Sequence, residues 1–172
     1  MQWRVEVIHK FHSKDPDGLS ALSEARDLGV RSVREVRSVN VFIVDGEIGE
    51  QDLRLLAERL FLDPVVQQYR ICGPDQEHWP WAEGEGVHTI EVSRKQGVMD
   101  PVQHSAMKGA ADLALADRID SIRTARLYLL RGDLSRPQLE RIALKGLANP
   151  TIEEVHIDEP EVQDAVEKTR RS

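Results

Sequence analysis

The sequence predicts an α+β protein made of two tandem βαββαβ units, each a four-stranded antiparallel sheet with two helices on one face, the two paired about a pseudo-twofold axis. Three observations predict it. An internal repeat runs through nearly the whole chain, each copy switches between two-residue and helical apolar periods, and Pro or Gly punctuation recurs at matching places.

Shifting the 172-residue chain by 85 positions lays Glu6-Val7 on Glu91-Val92, Lys10 on Lys95, Asp15-Pro16 on Asp100-Pro101, Ser20-Ala21 on Ser105-Ala106 and Asp27-Leu28 on Asp112-Leu113. From there the shift is 86: Arg37 falls on Arg123, Gly46 on Gly132, Leu53 on Leu139, Ala57 on Ala143, Pro64 on Pro150 and Ile71 on Ile157. One inserted residue between the first helix and the second strand accounts for the slip, because loops absorb insertions at low cost.

In the first copy Trp3, Val5 and Val7 alternate with Arg4 and Glu6, and in the second His88, Ile90 and Val92 alternate with Thr89, Glu91 and Ser93. Period two marks a strand with one wetter face. Asp15-Pro16 and Asp100-Pro101 then open helices: the Asp side chain accepts from unpaired N–H groups of the first turn, and a Pro just inside has no N–H to satisfy. Leu19, Leu22, Ala25 and Leu28 form the predicted apolar stripe of the first helix, with Met107, Ala110 and Leu113 as the later counterpart. Gly29 suits a helix end; Ala114, at the same place in the second copy, suits it less well.

Two middle strands per copy are expected, over Ser32 to Arg37 and Val39 to Asp45, and over Arg118 to Arg123 and Ala125 to Arg131. Val41-Phe42-Ile43-Val44 and Leu127-Tyr128-Leu129-Leu130 are apolar at successive positions, which suits strands covered on both faces. Leu53, Leu56, Ala57, Leu60 and Phe61 mark a second helix, repeated by Leu139, Ile142, Ala143 and Leu147. Asp63-Pro64 and Asn149-Pro150 stop it, since a residue before Pro is steered out of the α region. The last strands are expected over Val65 to Ile71 and Thr151 to Ile157.

Helices recurring on one side of a sheet leave its other face bare, and an apolar face of that area seeks a cover. The other copy is the expected cover, as in a dimer that buries one patch against itself. The predicted division is residues 1–72 as the first unit, 73–87 as linker, 88–157 as the second unit, and 158–172 as a tail that forms a short helix or stays loose. The linker carries Gly73, Pro74, Pro80, Gly84 and Gly86 and could span ~50 Å fully extended.

Composition narrows the function classes. With 40% apolar and 31% charged residues the chain reads as a globular protein, and no apolar run approaches the ~20 residues of a bilayer crossing. The opening residues show no basic segment followed by an apolar one, and Cys72 is the single cysteine; both point to a cytoplasmic protein. A net charge of -7 repels phosphate backbones and anionic membranes, so neither nucleic acid nor a membrane is an expected partner.

There is no phosphate-binding Gly-rich loop ending in Lys-Ser/Thr, no Gly-x-Ser-x-Gly elbow, no His-Glu-x-x-His pair and no Cys-x-x-Cys. His9 and His12 are three apart near a strand end and diverge, which suits surface histidines better than metal ligands. No catalytic, cofactor-binding or metal-binding residue is therefore assigned. Trp79-Pro80-Trp81 is the most unusual local feature, and it serves as a docking anchor or as a cover for the sheet edge between the copies. Trp79 and Trp81, with Asp15 and Asp100, are the residues assigned to a partner interface.

The ordered set of the first strand running into Lys10 or Lys95, the Asp-Pro helix entries, the Asp27-Leu28 and Asp112-Leu113 helix ends, and the closing Leu60-Phe61-Leu62-Asp63-Pro64-Val65-Val66 and Gly146-Leu147-Ala148-Asn149-Pro150-Thr151-Ile152 resembles the PurS family, the small subunit of phosphoribosylformylglycinamidine synthase. The likeness extends to the N-terminal region of the large single-chain synthases, which resembles a pair of such units. It implies a non-catalytic assembly subunit in purine biosynthesis, with the synthetase subunit PurL and the glutaminase subunit PurQ as partners. It also implies an internal pseudo-dimer and a possible further homodimer. The chain departs from the family pattern at Asp63, where Asn is usual, at Phe61-Leu62, where Leu-Ala is usual, and in its Trp-containing linker. From another class, a small-molecule-binding regulatory module built of duplicated α+β units is the alternative.

Overall fold

The computed structural model describes residues 1–72 and 86–158. The first copy runs β1 (Gln2–His9), α1 (Pro16–Asp27), β2 (Val33–Gly46), α2 (Glu50–Leu56) and β3 (Gln67–Cys72). The second repeats it as β4 (Val87–Arg94), α3 (Pro101–Asp112), β5 (Ile119–Gly132), α4 (Arg136–Arg141) and β6 (Glu153–Ile157). Both second helices run on into a widened π turn, Ala57–Phe61 and Ile142–Leu147. Among the described residues no helix is long and apolar enough to cross a membrane.

Each copy contributes three strands, not four. The expected middle pairs fuse into single 14-residue strands, β2 and β5, whose register runs without slip from Glu35↔Arg131 to Asp45↔Ser121. The supposed break at Ser38 and Thr124 carries no Gly or Pro, and the structure shows what happens there instead. β1 stops pairing with β2 at Ile8↔Val39, and the next N–H, that of Ser38, donates to the Asp15 carboxylate at 2.7 Å. In the second copy β4 leaves β5 after Ser93↔Ala125, and the Thr124 N–H donates to Asp100 at 3.1 Å. The helix cap thus extends the ladder where the neighbouring strand ends.

The strand order is β3-β1-β2-β5-β4-β6 in one antiparallel sheet, so the copies join edge to edge through β2 and β5. This corrects the expectation of two sheets stacked back to back. Edge pairing satisfies the two rows of backbone groups that separate sheets would have left open. The register is self-complementary: Asn40 pairs with Arg126, its own repeat counterpart, while Val39 pairs with Leu127 and Val41 with Ala125. A pairing in which one residue meets its equivalent and the neighbours exchange is the signature of an isologous contact. Gly46 and Gly132 close the ends of this ribbon. A Cβ on either would stand 2.2 Å from the carbonyl oxygen of Arg118 or of Ser32, so only Gly permits the approach.

Helices α1 to α4 cover one face, and each of the two cores under them draws on both copies. One joins Val5, Val7, Phe42 and Leu53 of the first copy to Ala110 and Ile122 of the second. The other joins Ala21, Ala25 and Val36 of the first to Ile90, Leu139 and Ile142 of the second. Helix α1 turns its small residues Gly18, Ala21 and Ala25 inward; of the predicted stripe Ala25 is buried and Leu22 packs at the edge of the core, while Leu19 is left 46% exposed. Small side chains let a helix lie close on a sheet, and that contact sets the rotation. The last strands start two residues later than expected, because Asp63 and Asn149 hold Val65 and Thr151 in tight turns.

The opposite face carries a third buried cluster, Ile8, Val39, Val41, Ile43, Ala125, Leu127 and Leu129. Successive apolar residues in β2 and β5 therefore do bury both faces. On this side the sheet is strongly curved. Arg4 of β1 bonds Glu91 of β4, although β2 and β5 lie between them. Three strand spacings, about 14 Å, and a four-residue offset along the strands, about 13 Å, would keep these side chains apart in a flat sheet. Coiling of the long central ribbon brings the two copies' inner faces together.

Candidate partner interface

The four residues assigned to an interface separate into two groups. Trp79 and Trp81 lie outside the described residues. Asp15 and Asp100 are 1% and 8% exposed, and each is engaged inside its own copy. Asp15 accepts from the Gly18 N–H at 2.9 Å and from the Ser38 N–H and hydroxyl, with the His9 ring 3.9 Å away. Asp100 accepts from the Val102 N–H at 3.0 Å and from the Thr124 N–H and hydroxyl, and pairs with Arg94 at 3.2 Å. Their shared task is to cap a helix and anchor it to the central ribbon.

A polar cluster crosses the curved face between the copies. Arg4 reaches Glu91 and stands 3.7 Å from Glu6, the repeat counterpart of Glu91; both glutamate side chains are 2% exposed. The Cys72 thiol donates to Glu6 at 3.1 Å. Burial, and then the adjacent Glu6 carboxylate, push this thiol up to about 12, which suppresses the thiolate that any nucleophilic role requires. Sequence reading had no signal for this cluster, since charged residues alternating along a strand ordinarily face water. Among the described residues no group of three His, Cys, Asp or Glu side chains is placed to hold a metal ion.

Exposed apolar side chains concentrate at equivalent ends of the two copies, where the turn after the first strand meets the turn before the last. In the first copy they are Phe11 (66% exposed), Val65 (78%) and Val66 (39%). They are drawn together through Lys10, whose N–H donates to the Val66 carbonyl at 2.9 Å and whose ammonium donates to that of Pro64 at 2.8 Å. In the second copy they are Met99 (83%), Val102 (46%) and Ile152 (39%), with the Lys95 N–H on the Ile152 carbonyl at 2.9 Å. Solvated apolar clusters at a repeated position suit contact with another protein.

Cavities lie in both copies: one of ≈ 520 Å³ in the first is lined by His12, Leu19, Leu22, Arg34 and Val36, and two adjoin each other at the second-copy end. One of ≈ 540 Å³ has Phe42, Val92, Val102 and Ile152 on its walls, with Arg94 and Arg126 beside them. A second of ≈ 460 Å³ adjoins it at Arg94 and Thr124 and is lined by Lys95 and Arg123 together with the carboxylates of Asp100 and Glu154. Arg126 is held by Glu153 at 2.8 Å, and Arg123 has Asp45 3.8 Å away. The arrangement offers apolar depressions edged by paired charges, Arg94 with Asp100 and Arg126 with Glu153; among the residues lining it no nucleophile is paired with a base.

Comparison with known proteins agrees with this organisation. The family model PurS, described as phosphoribosylformylglycinamidine (FGAM) synthase, matches the chain twice, over residues 2–73 and 87–161. A curated relative, the phosphoribosylformylglycinamidine synthase subunit PurS of Archaeoglobus fulgidus, is 36% identical over 62 residues. That match covers 33% of this chain and 78% of the relative.

Proposed function

The chain belongs to the PurS family, and on that premise we propose that it is a non-catalytic assembly subunit of phosphoribosylformylglycinamidine synthase in de novo purine biosynthesis. In this reading it works in the cytoplasm, bridging the synthetase subunit PurL and the glutaminase subunit PurQ so that glutamine-derived ammonia reaches the amidine-forming site. The observation that carries the proposal is the self-complementary β2–β5 register. One polypeptide presents a ready-made pair of PurS units, and covalent linkage raises the effective concentration of the second unit to the millimolar range, roughly 10²- to 10⁴-fold in avidity.

The residues support a scaffold over a catalyst. The buried carboxylates cap helices or bridge the copies, and Cys72 is held as a neutral thiol. The exposed apolar ends supply docking surface, and Trp79 and Trp81 are proposed as additional anchors, since aromatic side chains dominate interface energetics. Reconstitution tests the proposal: glutamine-dependent amidine formation by purified synthetase and glutaminase chains should depend on adding this one. Equal rates with and without it would overturn the assignment.

A further inference from the structure

We propose that the ≈ 520 Å³ cavity beside Arg34 binds a small phosphate monoester carried on an apolar ring, and that the equivalent place in the second copy does not. The inference goes beyond the assembly role, since it concerns what the chain binds by itself.

The cavity opens between α1 and the end of the central ribbon, where β2 begins and β5 finishes. Leu19, Leu22 and Val36 give it an apolar floor. Leu19 is the helix residue left 46% exposed, and a wall for an apolar ligand is a use for that exposure. The second copy closes the other side with Arg131 and Gly86, whose carbonyl accepts from the Gly132 N–H at 3.0 Å. The charged or titratable side chains on the lining are Arg34, Arg131, Glu35 and His12. Glu35 has the His12 ring 3.9 Å away, so two guanidiniums stand against a single carboxylate with a neighbour of its own.

Arg34 owes its place to a β-bulge. The β2–β5 register passes from Val33↔Gly132 to Glu35↔Arg131, which leaves Arg34 as the extra residue, and bulges re-aim side chains. It is exposed, and among the described residues its guanidinium has no hydrogen-bond or ion-pair partner. A carboxylate is satisfied by one bidentate arginine, whereas a phosphate monoester brings nearly two charges and three terminal oxygens and can engage guanidiniums from both strands. The volume suits one metabolite-sized molecule with its ring on the leucines. The repeat supplies an internal control. In the second copy the register passes from Asp45↔Ser121 to Gly46↔Ile119, so the extra residue is Asp120. Asp45 stands in place of Arg131 and His104 in place of Leu19. Two carboxylates where the first copy has two guanidiniums would repel the same ligand.

Titration calorimetry on the full chain alone tests the site. Phenyl phosphate and adenosine 5′-monophosphate are the probes, with phenylacetate, adenosine and inorganic phosphate as comparisons. The two monoesters are expected to bind at one site per chain, about tenfold or more tighter than each comparison, and to weaken as salt is raised. Arg34→Asp, which introduces the second copy's residue, should weaken them by about tenfold or more, and Leu19→His by about threefold. Arg123→Gln at the second-copy end should leave affinity within about twofold, and unchanged thermal midpoints control for folding. Failure of both monoesters to bind, or binding that Arg34→Asp and Leu19→His leave unaltered, would overturn the site. Inorganic phosphate or phenylacetate binding as tightly as phenyl phosphate would overturn the ligand assigned to it. The assembly role is judged separately, by the reconstitution of amidine formation.

Discussion

The two copies share an architecture and differ in how they finish it. At the end of the first helix Gly29 adopts φ 86°, whereas its counterpart Ala114 holds φ 59°, a left-handed conformation that a Cβ makes costly. Where the last strand ends, Cys72 turns inward onto Glu6. Its counterpart Asp158 instead takes the Thr89 N–H at 2.8 Å and the His88 ring at 3.0 Å. The buried helix caps differ too: Asp15 answers three local donors, and Asp100 adds a salt bridge to Arg94. Duplication fixed the backbone contacts that both copies need to form one sheet, while side chains beyond those contacts diverged.

Separating the copies is expected to have the largest effect. Because both helix-covered cores mix residues of the two halves, residues 1–72 or 86–158 expressed alone should fold only by pairing with a second copy of themselves. Sedimentation with circular dichroism checks this; a folded monomer of either half would break the comparison. Next come the caps. Asp15→Ala strands the Ser38 N–H and hydroxyl in a buried site and should cost about 3 kcal/mol, with Asp100→Ala at about 2 kcal/mol because its site is wetter. Urea unfolding of the two variants ranks them, and equal losses would show that the caps are interchangeable.

Cys72 gives a pH test confined to the first copy. Its folded value, about 12, lies above the ordinary 9.0, so between those values the folded chain retains a proton that the unfolded chain has released. Stability should therefore be intact below about pH 9 and fall as pH rises toward 12. Cys72→Ala should flatten that limb in alkaline unfolding curves, and the native thiol should resist iodoacetamide at pH 8. A smaller effect is expected at the helix ends: Ala114→Gly should stabilise by about 1 kcal/mol, and Gly29→Ala should destabilise by a similar amount. Smallest is Asp63→Asn, within about 0.5 kcal/mol, because Asp63 and Asn149 already accept the same turn N–H, at 3.0 and 3.1 Å. Thermal unfolding of these three variants measures both differences.

Legibility in the sequence followed the range of the forces involved. Asp15-Pro16 and Asp100-Pro101 were readable as helix entries because a cap acts over three residues. The runs Val41 to Val44 and Leu127 to Leu130 were readable as two-sided strands because burial leaves no polar position. The rotation of α1 was not, since Leu19 and Ala21 compete for the sheet, and the close packing of small residues decides between them only once β2 is in place. The interface residues divided in the same way: Asp15 and Asp100 proved to be internal anchors, and the exposed apolar ends form only where the turn after each copy's first strand meets the turn before its last.

By itself the sequence determined that the chain is a duplicated α+β unit of the PurS type with matching caps and turns, because these depend on neighbours within a few positions. Only the tertiary structure decided that each unit has three strands, that the units join edge to edge, and that both cores are shared. Those outcomes turn on whether a backbone N–H finds its acceptor on the next strand, on an Asp cap or on the other copy, and that competition is settled between residues more than twenty positions apart.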